Sequence, residues 1–546
     1  VQDTQVLLCT MNPFIHLQPG SKERQEVHDA LNVVESRTED VPIVIGGEEL
    51  YTKDVHYQVS PYNHRQKIAK FSYATSDMIN DAIENSISVR AEWEAKPLAD
   101  RAQVFLKAAD VFANEKRAEI LATTMAGQAK NVIQAEIDAG PELIDFFRFN
   151  ANYALELENQ QPINPEPDIV NSVQYRGLEG FIAAISPFNF TAIGGNLAGT
   201  PALMGNVVLW KPSDTAMLAS WLVYKVLREC GLPPGVIQFL PADGPTFGNT
   251  ITASEHLAGI NFTGSVPTFT KLWQQVGENL PRYRTFPRLA GECGGKNYHF
   301  VHSSADVDSV VNGTIRSAFE FSGQKCSACS RAYIPKSLWG QIKQGLVDKH
   351  RDIKVGDPGD FSIFLSAVID KASFDRNKSY LEHAKSSSDI EVLAGGECDN
   401  STGYFVQPTI LECKDPQDKL MREEIFGPVL ACYVYEDGDY KNVLKLINST
   451  SEYGLTGSNC HIPQFNLCFR SVIEEASSVL RNSAGNFYVN DKSTGSVVGQ
   501  QWFGGSRKSG TNDKPGSPHY VLKWVSPQAI KRTKVPLTDW KYPSMK

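Results

Sequence analysis

Between residues 181 and 301 the chain alternates short, mostly apolar runs (181–185, 207–209, 237–240, 260–262 and 298–301) with segments of helical spacing. Runs this short and this apolar read as strands covered on both faces, and strands separated by helices pair in parallel with the helices packed on either side. The helix after Lys211 is well marked: Thr215 opens it, Leu218, Leu222, Val226 and Leu227 share one face, and Gly231 ends it. The pattern predicts a doubly wound sheet, which takes ligands beyond the carboxyl ends of its strands. A second alternating stretch, from about 303 to 490, predicts a second unit of the same α/β class.

The remaining segments add helices and edges. Residues 1 to about 40 show no clear periodicity and read as an arm, and 41–51 read as a hairpin around Gly46 and Gly47. Leu98, Ala102, Phe105, Ala109 and Phe112 mark an amphipathic helix. A long helical pattern covers 131–155, in which Glu142, Asp145 and Arg148 read as a solvated face ahead of a substrate role. The 510–546 tail, rich in Pro, Lys and aromatics, and the 171–175 segment are candidates for subunit contacts. A chain of 546 residues, 41% hydrophobic, supports large cores; its net charge of -9 and lack of a long Lys/Arg run argue against nucleic-acid binding. No run of about 18 apolar residues predicts a membrane span. The ten cysteines lack a regular spacing and read as thiols of a reducing compartment. The chain starts at Val1 rather than Met, which leaves a removed targeting segment open.

Cys326 stands out for chemistry. Val307, Val310, Val311, Ile315, Ala318 and Phe319 recur at helical spacing behind Ser303 and Ser304, Gly323 stops that helix, and Ala332, Tyr333 and Ile334 begin a strand ended by Pro335. A cysteine on the turn between two rigid elements suits a nucleophile, although Cys326 and Cys329 also read as core residues or a Cys-x-x-C pair. No second ligand pair at matching spacing is present, so no metal is expected. Gly259 and Gly264 have phosphate-loop spacing, but Ser265 and Val266 stand where that loop needs Lys and Ser/Thr; the motif reads as a structural turn or a pyrophosphate site at a helix start. Lys211 at a strand end is either solvated or within reach of ribose hydroxyls. Glu292, ahead of Gly294 and Gly295, is either a surface residue of a turn or an acid facing a cavity.

Taken in order, Ser186-Pro-Phe-Asn-Phe190, Lys211-Pro-Ser213, Phe262-Thr-Gly-Ser265, Gly291-Glu-Cys-Gly-Gly-Lys-Asn297, Gly323-Gln-Lys-Cys326 and Glu424-Ile-Phe-Gly-Pro428 resemble the motif set of the NAD(P)-dependent aldehyde dehydrogenases over about residues 40–530. Ser322 through Arg331, Asp491 through Ser496, and the glycines from Gly504 to Gly516 resemble the branch that oxidises glutamate γ-semialdehyde. Phe188 in place of the usual Trp and Cys293 in place of the usual Leu depart from the general pattern.

The resemblance implies an aldehyde dehydrogenase-like fold: an arm (1–50), an NAD-binding domain (51–162 and 183–300), a catalytic domain (301–495) and a small β oligomerisation element (163–182 and 510–546). It implies Cys326 as nucleophile, Glu292 as base and Asn189 with the Cys326 N–H as oxyanion donors. NAD would meet Ser186, Lys211, Gly264, Ser265, Val266, Pro267, Thr268, Glu424 and Phe426. Ser327, Gly495 and Ser496 resemble the substrate's carboxylate anchor, and Phe190 and Phe503 the aromatic pair along its methylene chain, positions that otherwise read as core. Asp214 beside Lys211 would disfavour a 2′-phosphate, so NAD is expected over NADP. The implied reaction is oxidation of L-glutamate γ-semialdehyde, in equilibrium with pyrroline-5-carboxylate, to L-glutamate in proline catabolism through a cysteine thioester. The implied assembly is a homodimer in the mitochondrial matrix. Other aldehydes, or a Glu-Lys-Cys hydrolase using Lys325 or Lys296, are the competing readings.

Overall fold

Five parallel strands form the body of the first sheet, in the order Arg288–Glu292, Leu257–Thr263, Phe181–Ile185, Val207–Lys211 and Ile237–Phe239. The chain enters at Phe181–Ile185, winds outward through Val207–Lys211 and Ile237–Phe239, then returns to the other side at Leu257–Thr263. The winding therefore reverses between Phe181–Ile185 and Leu257–Thr263, which opens a crevice at their carboxyl ends. The computed structural model describes residues 11–163, 165–460 and 467–545, the last stretch without the side chains of 467–471.

The second sheet has the order Ile390–Ala394, Thr409–Cys413, Val429–Tyr435, Cys329–Pro335, Asn297–Val301, Thr456–Cys460 and Asn486–Val489; the first strand is antiparallel and the rest are parallel. Its fifth strand, beside the central Cys329–Pro335, is the 298–301 run expected in the first sheet. Four residues, Cys293 to Lys296, separate it from Glu292, so the chain leaves the carboxyl edge of one sheet and enters the amino edge of the other. The pattern of apolar runs carries no mark of this change because both strands are buried on both faces alike.

Residues expected as an arm are more ordered than that. Lys22–Glu35 is a helix capped by Ser21, whose Oγ accepts from the Arg24 N–H at 3.2 Å, with Val27, Leu31 and Val34 buried. The expected hairpin forms as Ile43–Ile45 and Glu48–Leu50 and extends the first sheet beside Ile237–Phe239. Residues 1–10 of the expected arm lie outside the described residues, as does Cys9. Ile169–Arg176 and Ser526–Thr533 pair antiparallel as a separate two-stranded ribbon, while Phe181 and Ile182, expected with that element, belong to the first sheet. Among the described residues eight cysteines are free thiols.

The helical pattern at 131–155 is broken into Val132–Ile137, a wide turn over Asp138–Glu142, and Leu143–Glu158. Pro141 lacks the N–H that would continue the ladder, and Gly140 departs from helical dihedrals (φ -88°, ψ -110°). The turn aims Asp138 at the start of the Thr191–Leu203 helix, whose N-cap, Phe190, has no side chain able to cap it. The Asp138 carboxylate accepts from the N–H groups of Thr191 (2.9 Å) and Ala192 (2.8 Å) and from the Lys130 ammonium (2.6 Å). A borrowed cap of this kind fixes the segment that carries Asn189 and Phe190. Asp138→Ala leaves the buried Lys130 charge and two N–H groups unpaired. Urea denaturation is expected to show a loss of about 3–5 kcal/mol, and a loss below about 1 kcal/mol, the range of an exposed pair, would show that this carboxylate does not hold the helix.

Candidate active site

The Val307–Phe319 helix is capped by Asp306, which accepts from the Ser309 N–H at 2.8 Å, and not by Ser303 or Ser304. Beyond it Phe321, Ser322 and Gly323 have consecutive positive φ angles of 52°, 54° and 66°. The left-handed conformation costs about 1–2 kcal/mol for each non-glycine residue, so the turn needs external ties. Ser322 Oγ donates to the Ser366 carbonyl at 2.5 Å, and Gln324 Oε1 accepts from the Ile369 N–H at 2.8 Å. Gly323 is required for space as well: a Cβ there would stand 2.2 Å from the Gly427 carbonyl oxygen. Cys326 follows on a turn, and Asn297 Nδ2 donates to the carbonyls of Cys326 (2.6 Å) and Ala328 (2.9 Å).

Glu292 ends the edge strand of the first sheet. Its backbone is tied by the Gly264 N–H, which donates to its carbonyl at 3.1 Å, and by the Cys293 N–H, which donates to Ser509 at 2.8 Å. Both carboxylate oxygens are shielded from solvent without a well-formed hydrogen bond among the described residues. Burial pushes the Glu292 pKa well above the usual carboxylate range; the Lys514 ammonium and the Gly505 N–H offset only part of this. Burial also pushes up the Cys326 thiol, and Glu292, Glu424 and Glu142 add to the effect. Asn189 is buried and donates through Nδ2 to the Gln324 carbonyl at 3.1 Å, which brings its amide to the Cys326 loop.

A cavity of about 90 Å³ joins these parts. Cys326 and Glu292 line it together with Phe190, Ser327, Gly495, Ser496 and Phe503, so two expected catalytic residues and all five expected substrate residues surround one space. Ser327 Oγ and Thr494 Oγ1 share a hydrogen bond of 2.7 Å, and Ser496 Oγ donates to the Gln501 carbonyl. The Phe190 ring lies under the Lys130 ammonium at 4.1 Å.

The expected cofactor residues form a different group. Ser186 follows Phe181–Ile185 and Gly264 follows Leu257–Thr263, so they flank the point where the winding reverses. Ser186 donates its N–H to the Lys211 carbonyl at 3.1 Å and accepts from Trp210 Nε1 at 3.0 Å. Lys211 ends its strand; burial lowers its pKa, opposed by Asp214 and Asp243. Tyr73 donates its hydroxyl to Asp214 Oδ2 at 2.5 Å. Ser265 caps the Val266–Asn279 helix through Thr268, with Pro267 in the first turn, and Ser265, Pro267 and Thr268 are exposed. Glu424 Oε1 accepts from the Gly295 N–H at 2.9 Å, and burial pushes its pKa up to about 7. A Cβ on Gly294 would stand 2.0 to 2.3 Å from that carboxylate, so only glycine permits the approach. Phe426 (φ 57°) packs edge-on against Phe188 at 5.8 Å. Among the described residues no cluster able to hold a metal ion is present, and no helix is long and apolar enough to cross a membrane.

Sequence reasoning misplaced Glu142 and Asp145. Glu142 lines the cavity, with its pKa pushed up to about 8 by burial and then by Asp138. Asp145 is buried against the Asn12 N–H at 2.8 Å, while Arg148 faces outward to Asp110 as expected. The overlooked signal was Gly140-Pro141, which rules out a continuous helix. Gln324, Lys130 and Asp138 were also missed, and Lys325, a candidate lysine of the Glu-Lys-Cys hydrolase reading, is tied to Glu320 at 2.9 Å.

The raised Cys326 pKa is open to direct measurement. In protein without added ligand, alkylation of Cys326 by iodoacetamide, followed by peptide mass spectrometry, should keep accelerating above the pH of about 8.5 at which a free thiol is half ionised. A plateau below that pH would mean that the site favours the thiolate unaided.

Comparison with known proteins agrees with this geometry. The aldehyde dehydrogenase family profile matches residues 51–530. Delta-1-pyrroline-5-carboxylate dehydrogenase, mitochondrial, from Danio rerio is 65% identical over 534 residues, covering 98% of this chain and 95% of the relative. The Homo sapiens protein of that name is 64% identical over 543 residues, covering 99% and 95%. The crystal structure of the Delta-pyrroline-5-carboxylate dehydrogenase from Mycobacterium tuberculosis bound with NAD superposes with a TM-score of 0.93 at 44% identity, covering 98% of each chain. A parallel-sheet pair with a cysteine and a glutamate meeting at its junction, matched over nearly its whole length, belongs to the aldehyde dehydrogenase family.

Proposed function

We infer that this chain oxidises L-glutamate γ-semialdehyde, the open form of pyrroline-5-carboxylate, to L-glutamate with NAD, as a step of proline catabolism. One observation carries the reading: a nucleophile and a base line one cavity together with a hydroxyl and a Gly-Ser loop suited to a carboxylate. The relatives named above act on this substrate by name, and those from Danio rerio and Homo sapiens are mitochondrial; this enzyme is mitochondrial with them.

Cys326 Sγ attacks the aldehyde carbon as thiolate. The Asn189 amide has one N–H on Gln324, and the other, with the Cys326 backbone N–H, receives the oxyanion; such donors are typically worth about 3–4 kcal/mol each. Bound NAD would supply the acceptor for the hydride of the former aldehyde carbon, and Cys326 then carries the oxidised carbon as a thioester. Glu292 then takes a proton from water, whose oxygen attacks the thioester and releases glutamate. A carboxylate whose pKa is raised by burial is a better base near neutral pH than an exposed one.

The residues at the winding reversal suit a dinucleotide. The open first turn of Val266–Asn279, with Gly264 and Ser265 before it and Thr268 within it, suits the pyrophosphate. Lys211 and Glu424 would take ribose hydroxyls, and Ser186, Val266, Pro267 and Phe426 would line the groove. The close seat of Glu424 against Gly294 favours that role, since it holds an acceptor in place beside the Cys326 loop. On this reading the first sheet serves the cofactor and the second carries the nucleophile.

Glutamate semialdehyde brings a carboxylate and an ammonium. Ser327 Oγ and the N–H groups of Gly495 and Ser496 suit the carboxylate, Glu142 the ammonium, and Phe190 and Phe503 the methylenes between. The ribbon of Ile169–Arg176 with Ser526–Thr533 and the tail beyond it, where Trp540 and Tyr542 are 76% and 68% exposed, supports assembly with a second copy, a homodimer.

Two measurements test the function. NADH formation from pyrroline-5-carboxylate should be abolished in Cys326→Ala, and NADH formed from propanal but not from pyrroline-5-carboxylate by the unaltered enzyme would refute the substrate. Ser327→Ala should raise KM for the semialdehyde about tenfold or more, in line with about 1.5–3 kcal/mol for a hydrogen bond to a charged group, with little change toward propanal. Equal losses on both substrates would take Ser327 out of the anchor.

A further inference from the structure

The loop from Gly504 to Gly516 starts after Phe503 and returns at Pro515, both of which line the cavity. Its backbone has positive φ at Asn512 and Lys514, both 57°, conformations that persist in non-glycine residues only where the surroundings enforce them. For Lys514 the enforcement is visible. Its ammonium donates to the carbonyls of Gly485 (2.8 Å) and Gly504 (3.1 Å) and lies 3.4 Å from Asn486 Oδ1. All three acceptors are neutral, so among the described residues this partly buried cation has no carboxylate as a hydrogen-bond partner.

Its side chain lies beside Glu292 instead. The point where a Cβ on Gly504 would stand is 3.1 Å from Glu292 Oε1, 3.5 Å from Lys514 Cδ and 3.2 Å from Asn512 Oδ1, so the two side chains border the same small space, kept open by a glycine. The titratable groups around Glu292 are Lys514, Asp513, Cys293, Cys326 and Tyr520. Asp513 is paired with Lys523 at 3.0 Å and with the Thr511 hydroxyl. Burial keeps both thiols neutral, and the Tyr520 phenol donates to Asn261 Oδ1 at 2.7 Å. Lys514 is therefore the cation that this carboxylate meets.

We propose that Lys514 is the positioning residue of the hydrolytic half-reaction: its caged ammonium, set across Gly504, holds the Glu292 carboxylate ready to take a proton from water. The proposal rests on the reading of Glu292 as base. In the step itself, the water proton goes to Glu292 and the water oxygen bonds to the thioester carbon. The C–S bond breaks, Cys326 leaves as thiolate, and Glu292 returns its proton to solvent. Lys514 neither gives nor takes a proton. Consistent with this placement, its ammonium is the largest influence lowering the Glu292 pKa against burial.

The test uses full-length Lys514→Met, Lys514→Arg, Asp513→Asn and Glu292→Gln, with NADH formation followed by rapid mixing and in the steady state from pH 6 to 10. Lys514→Met should keep the first-turnover burst while steady-state turnover at neutral pH falls about tenfold and its pH midpoint rises about one unit. Intact-mass analysis should show acyl-enzyme accumulating, and Lys514→Arg should restore the midpoint. Asp513→Asn, which removes an anion, should move the midpoint down. A Lys514→Met enzyme with an unmoved midpoint, or one slowed alike at every pH and in the burst, overturns the proposal. If Lys514→Met does not fold, Asp513→Asn decides, since a midpoint unmoved or raised also overturns it. A Glu292→Gln enzyme that turns over normally would instead sink the reading of Glu292 as base, whatever Lys514 does.

Discussion

The four-residue passage from Glu292 to Asn297 governs the rest of the molecule. It joins the carboxyl edge of one parallel sheet to the amino edge of the next, so the loops that leave the first and the loops that enter the second meet face to face. Ser186, Lys211, Gly264 and Glu292 come from the first set; Lys296, Cys326 and Glu424 come from the second. A doubly wound sheet alone offers a crevice for a ligand. Two of them in series offer a closed space in which a ligand held by one meets a nucleophile held by the other. Gly294 and Gly295 lie in the passage because the Glu424 carboxylate on one side and the Cys326 carbonyl on the other leave no room for side chains.

Closing that space has an electrostatic consequence. Water is excluded from a pocket holding a thiol and several carboxyls, and each is pushed toward its neutral form. The strained turn before Cys326 and the borrowed Asp138 cap are the structural counterpart, since both need ties from distant segments to persist. Gln324 shows the economy of such ties: its side chain accepts from Ile369 while its carbonyl receives Asn189, so one residue fixes the Cys326 loop and the Asn189 amide together.

Much of this was legible in the sequence, and the boundary has a physical explanation. The 181–185 run forms the Phe181–Ile185 strand at its expected limits, and Cys326 falls on the expected turn, because apolar runs and glycines act locally. Of the residues that the ordered motifs single out, Cys326, Glu292 and the five expected substrate positions line one cavity, while Asn189 joins the Cys326 loop through Gln324. What failed was non-local. The 298–301 run gives no sign of which sheet it joins, Glu142 looked solvated until the Pro141 turn rotated it inward, and Lys514 gained meaning only when the backbone folded Gly504 against Glu292.

The cost of the site to the fold follows from the same shifts. Glu142 and Glu424 are raised from 4.5 to about 8 and about 7, so between those limits the native chain holds protons that the unfolded chain has lost, and stability falls as pH rises. Lys296 is lowered from 10.5 to about 7, so below that pH it is charged in both states and the full cost of burying the ammonium is present. Near neutral pH each of these groups opposes folding, and the buried cores beneath the two sheets must outweigh them. A cavity lined by a buried thiol and buried carboxyls cannot also be the most stable arrangement of its own side chains, so the fold gives up stability to hold Cys326, Glu292 and Glu142 around one space.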